Sequence, residues 1–184
     1  MPPVIRDMPW VTDDAGEDIV FPDGRPLIDP VTRRPVHIRQ DQIVLWASLA
    51  PEELTSLPPD VPVFPILLDT GFNDWFLMHR QQAWEWLTPD ILSLLPETTH
   101  RFPVHDAVIF NRQAALWLHP NIPGSRDRDP GGVPFPLVLS VGATLAPPGR
   151  YAREKPLLGV RAVRFNGLTI RIDGVARRVW IDTP

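Results

Sequence analysis

The chain has no cysteine among its 184 residues. Disulfides, thiol nucleophiles and cysteine-ligated zinc are therefore excluded. It also lacks any excess of positive charge: 18 basic and 22 acidic residues give a formal net charge of -4. Neither nucleic acid nor an anionic membrane surface is an expected partner. No apolar run approaches the ~20 residues of a spanning helix. The opening MPPVIRDMPW lacks the basic-then-apolar order of a secretory signal, so the chain reads as soluble and cytoplasmic. Long helices are discouraged, because 24 prolines lie far above the ordinary usage of about 5%. The 43% of hydrophobic residues is enough for one sizeable core, and no internal repeat divides the chain.

Turn and extended signals crowd the first 35 residues: Pro22-Asp23-Gly24, Arg25-Pro26, Asp29-Pro30 and Arg34-Pro35. The same stretch carries Trp10, Ile19, Val20, Phe21, Leu27 and Ile28, which are out of place in a solvated tail. Residues 1–35 are expected to form a proline-rich extended arm lying on the domain or on a partner, and residues 36–184 the domain itself. Strand signals, rich in β-branched and aromatic residues, fall at 36–38, 43–46, 61–68, 107–110, 114–119 and 135–141. Residues 168–172 alternate apolar and polar, turn at Asp173-Gly174 and return through 175–181, a hairpin pattern. Helical signals are short: 81–87, Thr88-Pro89-Asp90 with threonine as cap and proline first, a helical turn at Pro51-Glu52-Glu53-Leu54, and a piece after Gly159. The expected class is mainly β.

One stretch carries chemistry. The apolar run from Phe64 to Leu68 delivers a single acid, Asp69, into Thr70-Gly71, and apolar residues resume at Trp75-Phe76-Leu77-Met78. A carboxylate leaving a buried strand into a turn of small residues resembles the active-site motif of the retroviral-type aspartic proteases. Their second signature, two apolar residues and a glycine followed by a short helix, is similar to Leu157-Leu158-Gly159 with Val160 to Phe165 after it. Gly167-Leu168-Thr169-Ile170 looks like the strand that follows in bacterial and archaeal members. The likeness runs from about residue 36 to the C-terminus.

That resemblance implies a closed, barrel-like β fold with one or two short helices, forming half of a two-fold homodimer. It implies hydrolysis of peptide bonds in a peptide or protein substrate, without cofactor or metal. In such a site two carboxylates about 3 Å apart share one proton; one activates water as a base and the other donates to the substrate carbonyl. The chain holds a single Asp-Thr-Gly triplet, so a second Asp69 must come from another copy across a two-fold axis. The resemblance gives Thr70 a hydrogen bond across to the other loop. It makes Gly71 the residue that lets the backbone turn sharply and approach its partner. Phe72, Asn73 and Asp74 are implied to hold substrate, and Leu157, Leu158 and Gly159 to support the active-site loop. The chain departs from the pattern in having Val160, with Arg161 next, where viral members have arginine, and in its bulky Phe72. The candidate flap lies in 110–134, with its Gly131-Gly132 pair.

Blander readings accompany each feature. Asp69 also suits a strand-ending acid that caps a turn, and Asn73 and Asp74 suit a solvated turn. A catalytically inactive dimerisation or peptide-binding module of the same fold would need the dimer but not the acid. His100, His105, Asp106 and His119 are of zinc-binding types, but their spacing matches no ligand pattern, and surface histidines are the expectation. Trp75, Trp84, Trp86 and Trp117 suit a core or a dimer interface better than a binding platform.

Overall fold

The computed structural model describes residues 4–10, 16–102, 107–146 and 155–183, with backbone alone for 99–102 and 107–109. Strands run over Ile5–Pro9 (β1), Glu17–Asp18 (β2), His37–Ile38 (β3), Ile43–Ala50 (β4), Phe64–Asp69 (β5), Phe76–His79 (β6), Glu97–Phe102 (β7), Ala107–Arg112 (β8), Ala115–His119 (β9), Phe135–Val138 (β10), Ala143–Ala146 (β11), Leu157–Gly159 (β12), Thr169–Asp173 (β13) and Arg178–Asp182 (β14). Three short helices cover Arg80–Trp86 (α1), Pro89–Leu94 (α2) and Val160–Phe165 (α3). The protein is mainly β, and none of its described helices is long and apolar enough to cross a membrane.

Nine strands form one sheet in the order β10-β9-β4-β5-β12-β6-β11-β8-β7. Within it β4 pairs antiparallel with both β5 and β9, and seven of its eight residues are buried. That accounts for the continuous apolar run there: a strand covered on both faces shows no alternation. The expected closed barrel is not seen among the described residues, since β10 and β7 end the sheet unpaired with each other. The β10 edge shows why. Pro136 has no N–H to offer, and the Asn166 carboxamide accepts from Val138 N–H (2.8 Å) and donates to Val138 C=O (3.0 Å). A further strand has no free ladder to join at that point.

Short helices need their ends satisfied. Thr88 caps α2 and proline follows it, as its sequence signals indicate. In α1 the cap is His79, whose Nδ1 accepts from Gln81 N–H (3.1 Å), while Gln82 Oε1 accepts from His79 N–H (3.0 Å). Residues 51–54 make a turn, with Leu54 N–H donating to Pro51 C=O, and not a helix.

The described part of residues 1–35 packs into the same apolar cluster as the central strands. Val4, Ile5, Met8, Ile19 and Leu27 are all buried in it. Three backbone bonds tie Ile19, Leu27 and Val36 to one another, each 2.8 or 2.9 Å. β1 adds antiparallel to β14, giving a second sheet in the order β1-β14-β13. The register slips between Ile5 and Met8, where Asp7 takes a positive φ of 45°. That bulge lets Ile5 and Met8 both point inward.

Burial of this kind makes the N-terminal strand part of the stability of the whole domain. Ile5 is 1% exposed. Ile5→Ala is expected to cost about 2–5 kcal/mol and to lower the urea midpoint accordingly. A loss below about 1 kcal/mol would mean that β1 does not belong to the core.

Candidate active site

Asp69 is the last residue of β5, half-buried, and the turn beyond it is exposed at Thr70 and Gly71. Its Oδ1 accepts from Gly71 N–H (2.8 Å), and its own carbonyl accepts from Phe72 N–H (3.3 Å). The carboxylate is therefore held at the mouth of the turn by the local backbone.

What positions the turn is β12, inserted between β5 and β6. It runs parallel to β5, with Gly159 opposite Asp69, and antiparallel to β6, with Leu158 opposite Phe76. Gly159 N–H donates to Trp75 C=O (3.1 Å). A Cβ at Gly159 would lie 2.0 Å from Asp74 O and 2.8 Å from Phe72 O. Its φ of -79° is open to any residue, so glycine is required here for space alone. The two sequence signatures thus meet: the loop of the first wraps over the glycine of the second. Leu157 and Leu158 are buried beneath it.

The other residues of the motif are placed as follows. Thr70 and Asn73 are exposed, with no hydrogen bond among the described residues. Phe72 is half-buried, as is Asp74, whose Oδ1 accepts from Trp75 N–H (2.9 Å). Gly71 departs from expectation. It has no positive φ, and a Cβ there would meet only Asp69 Oδ1, at 3.4 Å, so nothing within one chain demands glycine. Arg161 stacks over the Trp75 ring (5.3 Å), and Phe165 of α3 meets the same ring edge-on (4.7 Å).

The candidate flap region, 110–134, holds the end of β8, then β9 and the loop to β10. That loop is pinned, with Asn121 Oδ1 accepting from Arg6 N–H (2.7 Å) and Asn121 Nδ2 donating to Arg6 C=O (2.8 Å). Gly132 packs against Pro120. A cavity of about 450 Å³ between this loop and β1 is lined by Val4, Arg6, Asn121 and Phe135, and by no residue of the Asp69 turn.

The tryptophans divide. Trp75, Trp86 and Trp117 are buried, whereas Trp84 is exposed beneath the Arg80 guanidinium. His105 and Asp106 lie outside the described residues, as does the side chain of His100. Among the described residues no group of three metal-ligating side chains converges.

His119 has a different role from a ligand. Its Nε2 lies 2.9 Å from Ser48 Oγ, and both residues are buried. Ser48 Oγ donates its one proton to Pro62 C=O (2.8 Å), so the hydroxyl accepts from Nε2–H and the pair is not a nucleophile and its base. Burial, with Arg128 nearby, pushes the His119 pKa down to about 4.

The scans find no matching protein-family model, no matching curated protein and no matching solved structure.

Two expectations follow. Gly159→Ala should unfold the Asp69 turn or the whole domain, because backbone carbonyls of Phe72 and Asp74 cannot yield as a flexible side chain would; a variant with unchanged melting would remove the proposed brace. The second concerns pH. An unfolded histidine titrates near 6.5, so a folded value of about 4 favours the neutral ring. That contribution is complete above about pH 6.5 and is lost as pH falls toward about 4, on the order of 3 kcal/mol in all. His119→Gln should flatten the pH dependence of urea unfolding in that window, and an identical slope in both proteins would contradict it.

Proposed function

We propose that the chain is an aspartic endopeptidase whose dyad consists of Asp69 from two copies. The observation that carries this reading is the meeting of Asp69 and Gly159 on paired strands. An acid placed at the tip of a buried strand is held by a glycine that only close backbone contact requires.

Three further features fit. The Thr70 hydroxyl is exposed and without a partner among the described residues, so it is free to bond to a second loop. Gly71 lacks a side chain that its own protomer has room for, which close approach of a second copy would explain. The carboxylate is only half-buried in one chain, and a second copy would complete its enclosure. In the dimer one carboxyl is ionised and takes a proton from water, and the other is protonated and donates to the scissile carbonyl.

A structural role for Asp69 is favoured by one observation, its hydrogen bond from Gly71 N–H. An asparagine would still accept that bond, which separates the two readings. On a mixed peptide library, wild-type hydrolysis should follow a bell-shaped pH profile on the acidic side of neutrality, since the dyad needs one proton in total. Asp69→Asn should abolish it by several orders of magnitude with the melting temperature and assembly retained, and chelators should have no effect. Cleavage that survives the substitution would dismiss Asp69 as the catalyst. A dimer that cuts nothing would favour a peptide-binding or dimerisation module.

A further inference from the structure

An unpaired strand edge invites another strand unless something blocks it. Two edges in this protein are blocked by the same device. At β10 the Asn166 carboxamide bonds both the N–H and the C=O of Val138, beside Pro136. At β1 the Asn121 carboxamide does the same to Arg6, beside the bulge at Asp7 and ahead of Pro9. Each asparagine occupies the place a neighbouring strand would take.

The outer edge of β13 has no such block. Strand β14 covers its other edge along all five residues, and no side chain among the described residues bonds its backbone from outside. Its sequence, Thr169-Ile170-Arg171-Ile172-Asp173, contains neither proline nor lysine. Ile170 and Ile172 stand opposite Ile181 and Val179. Those two are fully buried, yet Ile172 is 44% exposed. The core-side face of the sheet thus continues past its own core and stops with apolar residues uncovered. Phe165, 60% exposed, lies on α3, which packs against β13 and reaches Trp75 of the Asp69 turn.

We infer that the occupant of this edge is β13 of a second copy, antiparallel, giving a continuous six-stranded sheet across the dimer; this rests on the proposal that the active site needs two copies. The register follows from symmetry and charge. A two-fold axis perpendicular to a sheet keeps each face on its own side, so it must pass through a residue paired with itself. An axis at Arg171 would set two guanidinium groups opposite each other, which is unfavourable. An axis at Ile170 leaves Arg171 facing Thr169. An axis at Ile172 sets Arg171 opposite Asp173 of the second copy, and Asp173 opposite Arg171 of the second copy. It also brings the two Ile172 side chains together on the apolar face. Charge therefore selects Ile172 as the centre, and the same axis must pass beside Asp69.

The absence of cysteine makes this directly testable. Residues paired across an antiparallel ladder have Cα atoms about 4.5–5.5 Å apart, within reach of a disulfide. Ile172→Cys, at a half-exposed position, should give a disulfide-linked dimer nearly completely under mild oxidation. Thr169→Cys should not, since in this register the two copies of that position are about 20 Å apart. Arg171→Glu sets like charges opposite each other twice and should weaken the dimer roughly tenfold at low salt, with the effect fading at high salt. Cross-linking at 172 without peptidase activity would support the seam and reject the proposed catalysis. A dimer by sedimentation that links at 169, or at neither position, would overturn the seam and leave the dyad standing. A monomer at all concentrations would overturn both.

Discussion

Everything near Asp69 depends on one close approach, that of the Gly159 backbone to the carbonyls of Phe72 and Asp74. Interiors are packed too tightly for an added methyl group to be absorbed where the neighbours are backbone. With glycine there, β12 can lie between β5 and β6, and the Asp69 turn closes over it. The turn's exit at Trp75 is fixed by the Gly159 N–H, and α3 begins at the next residue. Strand, turn and helix are set by that single contact. At its tip the turn presents the Asp69 carboxylate, while the motif's other acid, Asp74, is bonded to Trp75 N–H.

The second constraint is control of strand edges. A nine-stranded sheet and a three-stranded sheet have four ends between them, and two of those ends are sealed by asparagine side chains that imitate a neighbouring strand. The other two ends, β7 and β13, carry no such seal among the described residues, and β13 is the one at which we infer association. Buried His119 adds an expected pH dependence to folding. With its pKa pushed down to about 4 by burial, the neutral imidazole favours the folded state most strongly above about pH 6.5.

The local signals in the sequence were strong where one residue decides the geometry. Thr88 and Pro89 mark the start of α2, the Asp173-Gly174 turn marks the last hairpin, and the apolar run into Asp69 marks β5. The juxtaposition of Asp69 with Gly159 was also foreseeable, because two separated motifs must meet if they belong to one site. Other features had no local signature. β1 is a short, polar-interrupted strand whose partner lies at the far end of the chain, so its membership in the core is decided by tertiary pairing. β11, Ala143–Ala146, lacks the β-branched density that signals a strand, and in β7, Glu97–Phe102, the two threonines lie among charged and polar residues with no apolar alternation. His79 as a helix cap defies the usual preference for small polar residues. The expected closed barrel failed for a similar reason: whether a sheet closes depends on what occupies its edges, and the Asn166 plug acts between residues far apart in sequence.

The central claim is that Asp69 works only as one of a pair. A crystal structure of the protein grown from mildly acidic solution tests it most directly. The account predicts two chains related by a two-fold axis, with the two Asp69 carboxyl groups facing each other at about 3 Å, the separation at which they must share a proton. A structure in which Asp69 touches only its own Gly71 N–H, in every assembly the crystal contains, would contradict it.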